Sequence, residues 1–188
     1  LYRRALVGSE STLGALDEDT LASVGNLAQL LKAQGKLDEA EPLMKRALEG
    51  MEATLGATHK STLDAANNLA QLLDAQGKLD EAEPLAKRAL EGTEATLGAL
   101  HPSTLVAIGN LAQLLEAQGK LDEAEPLMQR ALGGSEATLG ALHPETLIWV
   151  GNLARLLQAQ GKLDEAEPLF LRDLEGSEAT LGALHLNT

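Results

Sequence analysis

Four histidines stand at one fixed spacing. His59, His101, His143 and His185 recur every 42 residues, and imidazole is the commonest metal ligand among side chains. Ligands of one zinc ion must each lie within about 2 Å of it. Equivalent residues on stacked helices stand roughly 8–10 Å apart. These histidines therefore cannot share an ion, and they are assigned a structural place at the turn between repeats. Asp17 holds the corresponding position at the start of the series. Acidic residues are the second candidates for chemistry. Asp38, Glu39 and Glu41 would suit general acid–base work, but they recur in each copy at the start of a helix, where negative charge offsets the helix dipole. No nucleophile stands beside a base, no glycine-rich loop is placed to cradle phosphate, and cysteine is absent. Thiolate catalysis, thiolate metal sites and disulfides are thereby excluded. The chain is expected to be no enzyme and to use neither cofactor nor metal.

What positions these residues is one stretch in four near-copies. It reads NLAQLLKAQGKLDEAEPLMKRALEGMEATLGATH from Asn26 to His59, and returns from Asn68 to His101, Asn110 to His143 and Asn152 to His185. Such a period marks a solenoid of units, each packing on its neighbours. In the second copy Leu63, Ala66, Leu69, Ala70 and Leu73 fall at spacings of three and four, which predicts a helix over 62–76. Gly77 suits the left-handed residue that ends it. Asp80 stands as N-cap of a second helix over 80–97, with Glu81 and Glu83 in its first turn. Pro84 is placed near that turn, where few backbone bonds are lost, and Gly98 ends the helix. Pro102, after His101, suits the first position of the next one. Gly50, Gly92, Gly134 and Gly176 recur inside the second helices, where glycine costs about 1 kcal/mol against alanine. Close approach of a neighbouring backbone is the expected reason, and the pair Gly133-Gly134 predicts a bend.

The expected fold is all-α: a right-handed α-solenoid of antiparallel helix-turn-helix repeats. Its repeats span 17–58, 59–100, 101–142 and 143–184 of a single domain over 1–188. Residues 1–16 read as the second helix of a truncated repeat and 185–188 as the start of a next one. LYRRALVGSE aligns with Leu43–Glu52, so both ends read as cut faces of a longer array, open to self-association. Hydrophobic residues make up 44% of the chain and aromatics 2%, which leaves alanine and leucine to pack closely spaced helices. The net charge of −13 and pI near 4.7 disfavour nucleic acid and anionic membrane surfaces as partners. No apolar run approaches the roughly 18 residues of a membrane span. Cytoplasmic placement is the default expectation.

The run from Asn26 to Leu48 resembles a tetratricopeptide repeat. Leu27, Ala28, Leu31, Gly35, Leu37, Ala40, Met44 and Ala47 match that signature's small, large and glycine positions. The common repeat has about 34 residues. A period of 42 with NNLA, QGKLDEAEPL, KRALEG and LGALHP resembles the kinesin light chain variety. The resemblance implies a scaffold for protein or peptide binding, with the groove lined by the first helices.

Positions that differ between copies carry the functional signal. On the first helices they are Ala22/Asp64/Val106/Ile148, Gly25/Asn67/Gly109/Gly151, Gln29/Gln71/Gln113/Arg155 and Lys32/Asp74/Glu116/Gln158. Their spacing puts them on one stripe, which the resemblance identifies with the peptide groove. Asn26, Asn68, Asn110 and Asn152 repeat beside it, either as tethers between helices or as a ladder that bonds a peptide backbone. The stripe charges nearly cancel, and the basic positions that would clamp a terminal carboxylate hold Gly, Asn or apolar residues. The fourth copy departs most. Trp149 replaces Ser23, Ala65 and Ala107, Phe170 replaces Met44, Ala86 and Met128, and Asp173 replaces Ala47, Ala89 and Ala131. This is either drift in a terminal repeat or a docking point, for which Trp149 is the best anchor. The candidate partner-binding residues are thus Asn26, Gln29, Asn67, Asn68, Gln71, Asn110, Gln113, Trp149, Asn152 and Arg155. A structural element that stacks end to end in an assembly, and a sensor array of a longer protein, are the other readings.

Overall fold

The computed structural model describes residues 12–181, in which eight α-helices form antiparallel hairpins. The chain divides into two compact units, one up to Thr96 and one from Leu97. The first holds α1 (Glu18–Ala33), α2 (Leu37–Leu55), α3 (Lys60–Ala75) and α4 (Leu79–Leu97). The second holds α5 (Pro102–Ala117), α6 (Leu121–Leu139), α7 (Pro144–Ala159) and α8 (Leu163–Leu181). The expected all-α hairpin fold is what each unit shows.

The histidines start helices. His59 Nδ1 accepts from the Ser61 N–H at 3.3 Å, His101 from Ser103 at 3.1 Å and His143 from Glu145 at 3.2 Å. Asp17 accepts from Asp19 in the same way at 3.0 Å. Each satisfies one of the orphan donors of a helix N-terminus, which starts α3 two residues before the predicted 62. His185 lies outside the described residues. Behind two of these caps a buried threonine fixes the turn. Thr62 Oγ1 donates to the Gly56 carbonyl and Thr104 Oγ1 to that of Gly98, each at 2.8 Å.

The link inside each hairpin is a Schellman motif. In the first, the Gly35 N–H reaches the Lys32 carbonyl and the Lys36 N–H that of Leu31, both at 2.9 Å. Gly35, at φ 74°, holds the left-handed position. Gly77 behaves alike, as the sequence predicts. The predicted Asp80 cap is corrected. α4 begins at Leu79 with Asp80 and Glu81 already in its first turn, and in α2 and α6 the cap residues are Lys36 and Lys120, with no side-chain cap bond. The prolines sit within the second helices, which run on through Pro42, Pro84, Pro126 and Pro168.

The core follows the signature. Ala28 and Ala40 are 0% exposed, and Leu21, Val24, Leu63 and Ala66 are buried with them in the first unit. Ile108, Ala112, Ala124, Met128, Val150 and Ala154 are buried in the second. The recurring mid-helix glycines are explained by a side chain and not by a backbone. A Cβ on Gly50 would lie 2.9 Å from Leu21 Cδ1, one on Gly92 2.9 Å from Leu63 Cδ1, and one on Gly134 2.8 Å from Leu105 Cδ2. One leucine of each first helix thus seats its tip on the bare glycine of its own hairpin. α6 remains one helix through Gly133-Gly134, with no break at the predicted bend.

Candidate functional site

Three helices of the first unit enclose a cavity of about 290 Å³. α1 and α3 form its sides and α2 its floor. Its walls carry Gly25, Asn26 and Gln29 from α1 and Asp64, Ala65 and Asn68 from α3. The floor is apolar: Met44, Ala47 and Met51, all buried. A Cβ on Gly25 would meet nothing within 4 Å, so this side of α1 faces open space. Asp64 is half-exposed and paired with Lys60 at 2.7 Å. Further along the same face, Lys32 Nζ donates to Gln71 Oε1 at 3.0 Å. Burial holds the Lys32 ammonium below its ordinary value even with Asp74 nearby. The cavity therefore offers amide donors and acceptors over a soft apolar base and carries little net charge, which suits a neutral extended chain better than an ion.

The hairpins that frame this cavity are tied on another face. Glu41 accepts from Lys45 and from Lys78 at 2.7 Å and from Gln76 at 3.0 Å. These bonds hold its carboxyl at about 2. In the second unit Glu125 accepts from Lys162 at 2.6 Å and is likewise lowered, by its bonds to Lys162 and Gln160. None of these tied residues lines the cavity.

The same positions in the second unit look different. Trp149, one period pair beyond Ala65, is half-buried and turns its ring onto Gly109, where a Cβ would overlap it. The space that stays open beside Gly25 is filled here by indole. A second recess, of about 450 Å³, lies between α7 and α8. Gly151, Asn152 and Arg155 stand on one side, with Phe170, Asp173 and Ser177 opposite. These positions correspond to Gly25, Asn26 and Gln29 and to Met44, Ala47 and Met51 of the first-unit cavity. The frame is shared, and the chemistry of the floor is changed from thioether and methyl to ring, carboxylate and hydroxyl. Arg155 Nη2 donates to Asn152 Oδ1.

The sequence-derived residues are thus dispersed among several places. Asn26, Gln29 and Asn68 meet at the first cavity, and Asn152 and Arg155 at the α7–α8 recess. Gln71 is held by Lys32. Asn67 and Asn110 are half-buried, Gln113 is exposed, and none of the three lines either cavity. Sequence reasoning missed the floor, Met44, Ala47, Met51 and Ser177. They were missed because variation was read for function on the first helices, while these positions belong to the second helices, which were read as packing.

Stacked antiparallel hairpins of this length, with small residues where the helices cross, define a helical repeat protein. The tetratricopeptide repeat profile matches residues 17–95, 62–137 and 103–179. The chain belongs to the tetratricopeptide repeat family, and its repeats are of the kinesin light chain-like type. It is similar to a crystal structure of nearly identical TPR-like repeats from a Podosopora anserina protein described as a kinesin light chain. That match has a TM-score of 0.86 at 29% identity, over 96% of this chain and 85% of that one. BtubC (BKLC) from P. vanneervenii shares the fold with a TM-score of 0.85 at 24% identity, over 100% of this chain and 74% of that one. A Rap protein complexed with competence and sporulation factor shares it at 0.76 and 16% identity, over 99% of this chain and 54% of that one. No curated protein matches the chain in sequence.

Proposed function

We propose that this chain is a non-catalytic interaction module that binds a peptide or partner subunit along its first-helix face. The carrying observation is the open cavity between α1 and α3, with amide side chains around a methionine and alanine floor. Asn26 and Asn68 stand where a backbone amide in extended conformation can bond both ways, and Met44 and Met51 adapt to the side chain below. The family membership supports the reading, since these repeats commonly serve as scaffolds for other proteins. The experiment is to select binders from a displayed random-peptide library and measure their affinity by calorimetry. Ala65→Trp copies into the first unit the residue that fills the second. It is expected to weaken cavity-bound peptides by about tenfold or more with no loss of melting temperature. Affinity unchanged by both Ala65→Trp and Asn68→Ala would overturn the assignment.

A second reading has one observation in its favour. Leu163, Phe170, Leu171 and Leu174 on α8 are all exposed, an apolar face that another subunit could cover. Sedimentation at several concentrations separates the two, since a monomer throughout removes self-stacking.

A further inference from the structure

We propose that the recess between α7 and α8 takes a cationic side chain, lysine or arginine, of a bound peptide on the carboxylate of Asp173. This rests on the reading of the first-helix face as a peptide-binding surface and names the chemistry at one end of it.

The position of Asp173 belongs to alanine in the other three copies, and Ala47, Ala89 and Ala131 are each no more than 2% exposed. A carboxylate there must find room and a counter-charge. Gly151 supplies the room: a Cβ on it would lie 2.9 Å from Asp173 Oδ2. The counter-charge is not supplied by the cations beside it. Arg155 directs one bond to Asn152 and forms no ion pair with Asp173. Arg172 is held by Glu136 at 2.6 Å and by the Ala141 carbonyl at 3.2 Å. Asp173 thus stands half-buried in a recess whose walls include Leu147, Ile148 and Phe170, and no ion pair reaches it among the described residues.

A partly desolvated carboxylate without a partner is costly, and attraction to an incoming cation is stronger there than in water. The rest of the recess fits such a guest. Phe170 offers a ring face to an ammonium or guanidinium. Ser177, one turn further along α8, also lines the recess. At the rim Arg155 and Asn152 can bond the peptide backbone. The order of charges with depth decides the sign: the floor is negative and the rim positive, so a cation sits inward and an acidic side chain would meet Asp173.

The test uses the full chain, labelled with ¹⁵N, and three capped pentapeptides with lysine, norleucine or glutamate flanked by alanines. Amide shifts of Gly151, Asp173 and Ser177 are followed in the wild type and in Asp173→Ala. That variant restores the residue of the other three copies, so it is expected to melt no lower. The expected result is saturable shifts at these amides with the lysine peptide, with affinity at least about tenfold weaker for norleucine, for glutamate and for Asp173→Ala with lysine. No localised shift at millimolar peptide, equal binding by norleucine or by Asp173→Ala, or preference for glutamate overturns the proposal. Shifts confined to Asn26 and Asn68 overturn it too, and leave the first-unit cavity as the binding surface.

Discussion

Between α1 and α3 the position facing Gly25 is Ala65, and the space stays open. Between α5 and α7 the corresponding position is Trp149, and its ring closes the space over Gly109. Backbone frame, caps and hairpin links are alike in both units, and the Trp149 ring occupies in the second the space that Ala65 leaves open in the first. The glycine opposite permits either state: bare in the first unit, it leaves room for a guest, and in the second it accepts the ring as a lining. The openness of the stripe thus differs from one hairpin to another within a shared backbone frame.

The comparison can be broken from either side. The largest effect is expected from Trp149→Ala. A fully buried tryptophan costs about 3–5 kcal/mol on truncation, and the half-buried Trp149 should cost about 2–3 kcal/mol, read as a lower urea midpoint. If stability is unchanged, the ring does not fill the α5–α7 space. Next come two adjacent glycines on α6. Gly134→Ala drives a methyl into Leu105 and is expected to destabilise by about 1–2 kcal/mol. Gly133 is exposed with nothing within 4 Å of a Cβ, so Gly133→Ala should stabilise by up to about 1 kcal/mol. Equal signs in thermal melts would refute the leucine-on-glycine seat.

A smaller effect separates the ties of the two units. The Glu41 carboxyl is held at about 2 against an ordinary 4.5, by bonds from Lys45, Lys78 and Gln76. The folded group is the more acidic, so its contribution is complete above about pH 4.5 and is lost as pH falls to about 2. Glu41→Gln should therefore be less stable than the wild type at neutral pH, with the gap closing over that window. A gap independent of pH would mean that the ion pairs contribute nothing.

Much of this was legible from the residues. The period, the alternation of apolar positions and the punctuating glycines define the hairpins, because each is a local choice repeated four times. The recurring histidines were legible as turn residues, but their capping bond was not, since it depends on the dihedral angles before α3, α5 and α7. Gly50 was misread because a repeat pattern shows that space is needed and not what fills it. At the candidate site the reading of the first helices named Gln29 in the varying stripe and Asn26 and Asn68 beside it, and these three line the two walls of one cavity. The sequence did not show that the cavity is open in one unit and filled in the other, because Ala65 and Trp149 sit beside the stripe and act across to a neighbouring helix. Asp173 was visible as a departure, and its access to a recess required the placement of Gly151.

Among the described residues, side-chain ties between helices of successive hairpins span from 11 residues, Ser135 to Thr146, up to 39, Lys32 to Gln71, short of one 42-residue period. No such tie needs a distant part of the chain to be in place first. Contacts this local favour rapid folding that can nucleate at any hairpin and spread. A gene encoding such a chain can also gain or lose whole periods while every remaining tie keeps its partner. Copy number is then free to vary in evolution while the hairpin itself is held fixed.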